Sequence, residues 1–324
     1  MNQPTPQLAS ASLNPAQAEI QETLGAPADQ RPTFDKGLRN HLRDQLENGF
    51  VECLHDKIEL PIFLAKHTLN LLHGCEARFI AEQNEPFSWS VPIARGMVAH
   101  KAIELHLGRR GNPTPLDLVE DAVARLEAEQ RSISTFLQEM NEADRAQLTS
   151  DANEVVATFF ETFPPIKRTW RPVCESRVRA DFCEANITLS GKVDLTLGQA
   201  NGMTAGKVLF DLKTGKAHHS HVEDLRFYAL LETLKVGTPP RLLVNYYLES
   251  GTPQFEAVTE DLLFSTALRV VDGLRTFVEL RESDARQPVE SPGINCRWCP
   301  AKETCEPGQL HLRQQDEAFD NVYP

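Results

Sequence analysis

The sequence has no long apolar run and no leader of the kind that directs secretion. No stretch of its 324 residues approaches the roughly 18 apolar residues that a membrane-spanning helix requires. The N-terminal MNQPTPQLASASLNPAQAEIQ lacks the positive charges and the apolar segment of a secretion signal. These absences predict a cytoplasmic protein that does not enter a membrane.

Positive charge is also scarce: 33 Lys and Arg residues stand against 46 Asp and Glu residues, which gives a net charge of −13. Proteins bind nucleic-acid phosphates mainly through Lys and Arg, so a nucleic-acid site here requires a local basic patch. The segment 166–180 has the composition for such a patch, although its cations also suit a solvated face. Its basic residues are Lys167, Arg168, Arg171, Arg177 and Arg179.

Composition and periodicity divide the chain into four segments. Residues 1–33 are rich in Gln, Pro, Ala and Ser and hold few large apolar side chains, which predicts a disordered tail. Apolar residues at helical spacing predict a helical N-terminal part over 34–165. Residues 166–285 alternate predicted strands with helices, and 286–324 form a cysteine-rich segment and tail. The predicted fold class is α/β, with a mixed sheet core flanked by helices.

Two short apolar segments, GKVDL at 191–195 and VLFDLKTGK at 208–216, each deliver an aspartate. Asp211 follows three apolar residues at the end of a predicted buried strand, where an ionised carboxylate requires compensation. Lys213 points to the same face, because strand side chains alternate. With Asp194 nearby, the group fits either a buried salt bridge or a site where carboxylate oxygens bind Mg²⁺ and the lysine orients a water.

These motifs resemble the core of the PD-(D/E)XK nuclease superfamily. G-x-V-D followed by D-x-K-T-G is similar to its catalytic core, and the T-G-K continuation is similar to its RecB branch. The resemblance implies a restriction-endonuclease-like sheet in residues 166–285. It further implies that Asp194, Asp211 and the Leu212 carbonyl bind Mg²⁺ or Mn²⁺ and that Lys213 positions the attacking water.

Two flanking motifs extend the resemblance to the RecB branch. RGMVAHKAIELHL matches an upstream G-x-x-x-H pattern, which implies that His100 is a third metal ligand, although its apolar stripe also suits a core histidine. Downstream, the branch carries a helix with a Gln and, four residues later, a Tyr. HVEDLRFYALL supplies Tyr228, which contacts the substrate or supports the site in this scheme, but it has Asp224 where the Gln is expected.

The seven cysteines argue against a disulfide framework in a chain predicted to be cytoplasmic. NCRWCPAKETCEP places Cys296, Cys299 and Cys305 in a C-x2-C-x5-C array, a spacing typical of metal sites. Nucleases resembling AddB and the iron-sulfur nuclease of CRISPR adaptation close a 4Fe-4S cluster with a distant cysteine in C-P-R-x-F. HGCEARFIAE matches that segment with Glu in place of Pro, which implies Cys75 as fourth ligand. Zinc suits four thiolates equally, and Cys53 is the alternative fourth thiol.

The resemblance implies a metal-dependent DNA exonuclease of the RecB type that hydrolyses single-stranded DNA or DNA ends, in repair, recombination or defence. The sequence has no G-x-x-x-x-G-K-[ST] motif, so any unwinding requires a separate helicase. Two alternatives remain open. One is a non-catalytic nuclease-fold subunit that holds DNA or a helicase, which the acidic charge and the missing Gln favour. The other is an enzyme confined to CRISPR spacer processing.

Overall fold

The computed structural model describes most of the chain. Side chains are not described at 318–322, and the described backbone covers residues 12–56, 58–83, 85–109, 111–282 and 286–322. Within these ranges, no helix is both long enough and apolar enough to cross a membrane.

Six strands in the described residues form one mixed sheet. Their bounds are β1 Ile62–Leu64, β2 Val173–Phe182, β3 Ile187–Leu197, β4 Val208–Lys213, β5 Leu242–Tyr247 and β6 Thr252–Ala257. The long strand β3 pairs antiparallel with β2, parallel with β1 at its first residues and antiparallel with β4 at its last. β4 pairs parallel with β5, which pairs antiparallel with β6. The predicted α/β class with a mixed sheet core is confirmed.

Helices precede, interrupt and follow the sheet. Their bounds are α1 Pro15–Leu24, α2 Leu38–Cys53, α3 Lys66–Gly74, α4 Glu76–Gln83, α5 Val91–Gly108, α6 Pro115–Ala128, α7 Ser132–Glu139, α8 Glu142–Thr162, α9 Ser220–Val236, α10 Glu260–Glu279 and α11 Glu306–Val322. Residues 67–83 lie in the part predicted to be helical, and the structure divides them between α3 and α4 at Cys75, which has extended dihedral angles. Short 3-10 turns occur at Ala28–Gln30, Arg168–Trp170 and Ile294–Trp298.

Helices cover both faces of the sheet, and each face has its own hydrophobic core. Along β4, Leu209 packs in the core that contains α2, α3, α9 and α10. Its neighbours Val208 and Phe210 pack in the opposite core, with α5, α6 and α8. A strand buried on both faces is apolar at successive positions, which explains the VLF run before Asp211. The end of this buried strand carries the predicted site.

The N-terminal prediction requires a correction. Residues 1–11 lie outside the described residues, but the rest of the predicted tail contains α1, which packs on α8. Ile20 is 3% exposed in the core of that face. Asn14 caps α1 and donates a hydrogen bond to the Glu161 carbonyl at 2.7 Å, and Gln17 donates to the Phe160 carbonyl at 3.2 Å. One apolar anchor and paired polar groups therefore fix a segment of low apolar content.

Candidate active site

His100 on α5 and Asp194 on β3 meet at the backbone of Leu212 in β4. His100 Nε2 lies 2.8 Å from the Leu212 carbonyl oxygen, and Nδ1 lies 3.5 Å from Asp194 Oδ1. The Leu212 amide donates to Asp194 Oδ2 at 2.7 Å. Burial disfavours both charged forms, but the attraction between the two groups outweighs it: the pKa of Asp194 falls to about 2 and that of His100 rises. Three of the predicted metal ligands are thus in mutual contact.

The glycine of the G-x-x-x-H motif allows α5 to approach the end of β4. A Cβ atom at Gly96 would lie 3.0 Å from Thr214 Oγ1, so a larger residue would press on the loop that follows Lys213. The neighbouring Arg95 donates to the Thr214 carbonyl at 2.6 Å. Because Gly96 lies about one helical turn before His100, this close contact sets the distance between the histidine and β4.

Two lysines and two aspartates form a second group beside the first, the lysine–aspartate cluster. Asp211 Oδ1 lies 3.2 Å from Lys66 Nζ, and its Oδ2 contacts Lys213 Nζ. Asp224 Oδ2 lies 2.9 Å from Lys213 Nζ and 3.1 Å from Lys66 Nζ. Asp211 is 2% exposed and Asp224 is 5% exposed, so each lysine offsets the desolvation of both carboxylates.

Lys66 joins this cluster to the first group electrostatically. Burial alone would lower the pKa of Lys66, but Asp211, Asp224 and Asp194 together raise it well above its usual range. The carboxylates of β3 and β4 therefore act on one ammonium group. Asp194 and Asp211 are therefore both close enough to Lys66 to act on its charge.

Asp224 departs from the expected Gln, and α3 supplies its partners. Lys66 at the start of α3 forms the ion pair with Asp224, and Asn70, one turn later, donates a hydrogen bond from Nδ2 to Asp224 Oδ1 at 2.7 Å. Both carboxylate oxygens are thereby satisfied at a buried position. An aspartate here therefore adds a negative charge that Lys66 offsets, and it holds Lys213 by charge instead of by an amide.

Glu175 reaches the site through a strained backbone. The pairing of β2 with β3 omits Glu175 and Asp194, and Glu175 has φ of 55°, which is rare for a residue other than glycine. Its carboxylate contacts Lys192 Nζ. Ligand atoms of His100, Glu175 and Asp194 all lie within 4.8 Å of one another. Glu175, which no sequence motif identified, therefore lies beside the predicted metal ligands His100 and Asp194.

Tyr228 of α9 packs directly on Gly191, the glycine of the G-x-V-D motif. A Cβ atom at Gly191 would lie 2.3 Å from Tyr228 Cε1, so only glycine leaves room for the ring. Tyr228 is 3% exposed, and Lys66 Nζ lies 5.0 Å from the ring centroid. Burial raises the pKa of Tyr228 to about 12, so the phenol is neutral. Its position suits a supporting role beneath β3 and Lys66.

We expect Gly191→Ala to displace the Tyr228 ring and to disturb Lys66 and β3. Overpacking of a buried contact costs about 1–3 kcal/mol, and we expect nuclease activity to fall about tenfold. Thermal melting and initial cleavage rates measure the two effects. Gly108→Ala is the matched control, because a Cβ atom at Gly108, the last residue of α5, meets no atom within 4 Å. Equal behaviour of the two variants would contradict this account of Tyr228.

Two observations test whether these residues fit a divalent cation. Imidazole and carboxylate donors of His100, Glu175 and Asp194 lie close enough to share an ion. Asp211 Oδ2 is buried and contacts the Lys213 ammonium group, so its negative charge is already directed at a cation. Carboxylate oxygens are also the ligands that Mg²⁺ prefers. The donor set, mainly oxygen with one imidazole, fits Mg²⁺ or Mn²⁺.

Cys75 lies against the C-terminal segment, as the distant-ligand prediction requires. The Ser291 amide lies 3.5 Å from Cys75 Sγ. Next to it, Glu76 is 8% exposed and accepts hydrogen bonds from Arg286 Nη2 and from the Val289 amide, each at 2.7 Å. This clip explains the departure from C-P-R-x-F, because a proline at this position could not bind Arg286.

The other three predicted ligands lie in the same region. A Cβ atom at Gly308 would be 3.2 Å from Cys305 Sγ and 3.4 Å from Cys296 Sγ, so both thiols face one point of α11. Burial raises the pKa of Cys299, and the nearby thiols of Cys75 and Cys296 act in the same direction. Cys53, the alternative fourth thiol, instead packs in the hydrophobic core with α2.

Lys66 and Asn70 have no sequence signal that would have placed them at the site. They precede Asp211 and Asp224 by about 150 residues and belong to no motif used above. Lys66 follows β1, a three-residue strand that the sequence analysis also missed. Motif spacing cannot identify such residues, because they reach the site only through the parallel pairing of β1 with β3.

Comparison with known proteins finds only weak similarity to solved structures. No curated protein matches the chain significantly. Among solved structures, a candidate exonuclease from Eubacterium rectale shares 10% identity at a TM-score of 0.43, covering 76% of this chain and 87% of that one. A protein named SSO0001 shares 13% identity at a TM-score of 0.36, covering 90% of this chain and 97% of that one. Identities and scores this low carry no functional information.

A sequence profile gives the family. The profile of the PD-(D/E)XK nuclease superfamily matches residues 64–306, a range that runs from the end of β1 to the start of α11. It contains His100, Asp194, Asp211, Lys213 and Tyr228 in the predicted order. The match extends over most of the chain, which therefore belongs to the PD-(D/E)XK nuclease superfamily.

Proposed function

We propose that this protein is a metal-dependent DNA exonuclease of the RecB type, which hydrolyses phosphodiester bonds of single-stranded DNA or of DNA ends. The observation that carries the proposal is that His100 contacts Asp194, Lys213 contacts Asp211, and both aspartates raise the pKa of Lys66. Membership of a nuclease superfamily supports the reaction class. The choice of DNA, and of strand ends, follows the resemblance to the RecB branch.

In this proposal His100, Asp194, Asp211 and the Leu212 carbonyl hold Mg²⁺ or Mn²⁺, and Glu175 contributes a further oxygen. A bound divalent cation lowers the pKa of water and neutralises charge that develops on the phosphate. The support for this ligand set is the close approach of the His100, Glu175 and Asp194 donors and the buried carboxylate of Asp211, which contacts two ammonium groups.

Lys213 positions the attacking water, and the lysine–aspartate cluster fixes Lys213. Its ammonium group lies between Asp211 and Asp224, so its direction is set before substrate arrives. The water adds to phosphorus and the bond from phosphorus to the leaving oxygen breaks. Lys66 contacts the same two carboxylates and offsets the second of their negative charges. Tyr228 supports this arrangement from below.

The pairing of Lys66 with Asp224 predicts a coupled mutational effect. We expect Lys66→Met to slow cleavage about tenfold, because two buried carboxylates then share only Lys213. Adding Asp224→Gln removes the excess negative charge, so the double variant should recover much of the lost rate. A double-mutant cycle on initial rates measures the coupling, which we expect at about 1–3 kcal/mol. Additive losses would contradict the charge-compensation role of Lys66.

We further propose that Cys75, Cys296, Cys299 and Cys305 bind a 4Fe-4S cluster that joins the N-terminal helices to the C-terminal segment; zinc is the alternative. The contact of Cys75 with Ser291 and the common orientation of Cys296 and Cys305 support a shared site. Four thiolates, one of them distant in sequence, suit either metal. In both cases the role is structural, because the site closes a loop of more than two hundred residues.

The two alternatives differ from this proposal in measurable ways. A non-catalytic subunit that holds DNA or a helicase would bind DNA without cutting it, and it would have no use for Lys213 between two carboxylates. An enzyme confined to CRISPR spacer processing would cut at one distance from an end instead of degrading the strand. A separate helicase remains a proposed partner for duplex DNA.

Degradation of end-labelled DNA tests the proposal. Linear single-stranded DNA, blunt duplex DNA, circular single-stranded DNA and linear RNA are each incubated with Mg²⁺, with Mn²⁺ or with EDTA. We expect metal-dependent shortening of linear DNA and resistance of the circular strand. Cleavage of the circle would show an endonuclease, a single short product would favour spacer processing, and binding without cleavage would favour the scaffold.

A further inference from the structure

A basic cavity lies where β3 ends and β4 begins, at the opposite end of β4 from the lysine–aspartate cluster. It has a volume of about 460 Å³, which is within the usual range for small-molecule sites. Leu197 ends β3 and Val208 begins β4 at its floor, about 10 Å along β4 from Asp211. Its walls come from the end of α1 and from the 3-10 turn Arg168–Trp170.

Four cations line this basic pocket, and no carboxylate does within the described ranges. They are Arg31, Lys167, Arg171 and Arg241. Among the residues that the structure describes, none of these four side chains forms an ion pair with an Asp or Glu side chain. Acidic residues nevertheless outnumber basic ones in the chain. Uncompensated positive charge in a cavity of an acidic protein favours an anionic ligand.

Arg241 provides the strongest sign of a ligand. It is 9% exposed, and its Nε is buried without a hydrogen-bond partner in the described structure. Its Nη2 donates a hydrogen bond to the Leu24 carbonyl. Burial lowers the pKa of Arg241, and Arg31 lowers it further by repulsion. Burying a guanidinium group beside a second one is costly unless an anion lies between them during function.

An aromatic ring and glycine backbone complete the pocket. Trp170 lines it, and Lys167 Nζ lies 5.6 Å from the Trp170 ring centroid. Arg171 has φ of 51°, and its guanidinium contacts Gln199 at the pocket edge. A Cβ atom at Gly206 would lie 3.0 Å from Arg31 Nη1, so glycine keeps the space that this guanidinium occupies.

We propose that this basic pocket binds a nucleotide, with its phosphate held by Arg241, Arg31, Arg171 and Lys167 and its base on Trp170. Guanidinium groups match phosphate oxygens with two parallel hydrogen bonds, and an indole ring stacks on any base. The nucleotide is either free in solution or part of a DNA strand, since both present the same chemistry. The site is separate from the proposed catalytic residues and its occupancy does not require cleavage.

Binding measurements in EDTA test this inference apart from the nuclease reaction. The probes are inorganic phosphate, dAMP and a single-stranded oligonucleotide, each titrated into the wild-type protein and into the Asp211→Asn variant. We expect dAMP to bind more tightly than phosphate, because stacking on Trp170 adds to the ion pairs, and to bind both proteins equally. Loss of dAMP binding in Asp211→Asn would overturn the proposal by placing the nucleotide at the catalytic site.

Variants of the pocket locate the ligand. We expect Lys167→Ala, Arg171→Ala and Trp170→Leu each to weaken dAMP binding about tenfold, roughly the loss of one charge-assisted or stacking contact. Arg168→Ala is the matched control, because Arg168 carries the same charge in the same turn but does not line the pocket. Unchanged melting temperatures show that the variants fold.

The oligonucleotide identifies the source of the nucleotide. If the three pocket variants weaken oligonucleotide binding as much as dAMP binding, the pocket holds a DNA strand. If they weaken dAMP binding alone, the pocket holds a free nucleotide. Wild-type affinity of Lys167→Ala and Arg171→Ala for both probes, or an equal loss in Arg168→Ala, would overturn the proposal.

Discussion

Asp211→Asn should abolish metal-dependent DNA cleavage, with a loss of about a thousandfold or more, equivalent to ~4 kcal/mol of the activation barrier. The substitution keeps the shape of a buried side chain but removes the charge that the proposed cation and two lysines share. The amide also donates hydrogen bonds, so it would oppose Lys213 instead of holding it. Initial rates on labelled single-stranded DNA measure the loss.

Asp44→Asn is the control for this prediction. Asp44 lies on the exposed side of α2, so the same chemical change there removes a charge without touching the site. We expect wild-type rates for Asp44→Asn and wild-type melting for both variants. If Asp211→Asn cleaved DNA at the wild-type rate, the assignment of the active site would be wrong. If it failed to fold, Asp194→Asn would serve as the second test, because Asp194 contacts His100 and Leu212 and not the two lysines.

Cys75→Ser should remove the proposed iron-sulfur cluster and destabilise the whole chain. Cys75 and Cys296 bracket more than two hundred residues, and a cross-link across a loop of that length contributes about 4–5 kcal/mol in the chain-entropy account. We therefore expect melting to fall by roughly 10 °C. Wild-type protein purified without oxygen should be brown, and the variant should be colourless with little bound iron.

Cys183→Ser is the matched control for Cys75→Ser. Cys183 lies in the turn between β2 and β3, and burial raises the pKa of its thiol to about 11, so it is not a reactive thiolate. This variant should keep its colour, iron and melting temperature. If the wild-type protein were colourless and contained stoichiometric zinc, the metal at this site would be zinc and not an iron-sulfur cluster. Unchanged metal content and melting in Cys75→Ser would remove Cys75 from the site.

The sequence predicted the parts of the site that lie in short motifs. Asp211 and Lys213 could be predicted because strand side chains alternate and the preceding residues are apolar. Gly191 and Tyr228 belong to separate motifs, and their contact explains why each motif has the residue it has. The superfamily and the fold class followed from the same motifs and are confirmed.

Other parts of the site depend on contacts that the sequence pattern does not contain. Lys66 reaches Asp211 only because β1 pairs with the start of β3, and a three-residue strand leaves no periodic signal. Glu175 faces Asp194 because its backbone takes a left-handed conformation, whereas a regular strand there favoured an exposed side chain. Tertiary pairing and local strain therefore determined these positions.

The departure at Asp224 also became interpretable only with the structure. In the sequence alone, Asp224 places a charged carboxylate where the RecB branch has the amide of a Gln. That difference favoured a non-catalytic protein. Lys66 and Asn70 supply the cation and the amide donor that this charge requires. The substitution and its partners thus form one unit, in which Lys213 still lies between two hydrogen-bonding oxygens.

The central claim is that carboxylates of Asp194 and Asp211 bind one divalent ion beside Lys213. Anomalous scattering from crystals grown with Mn²⁺ tests it most directly, because it locates the metal without relying on activity. The account predicts an anomalous peak in contact with oxygens of both aspartates and with His100. A peak bound to Asp194 alone, with Asp211 still paired to Lys66 and Lys213, would contradict it.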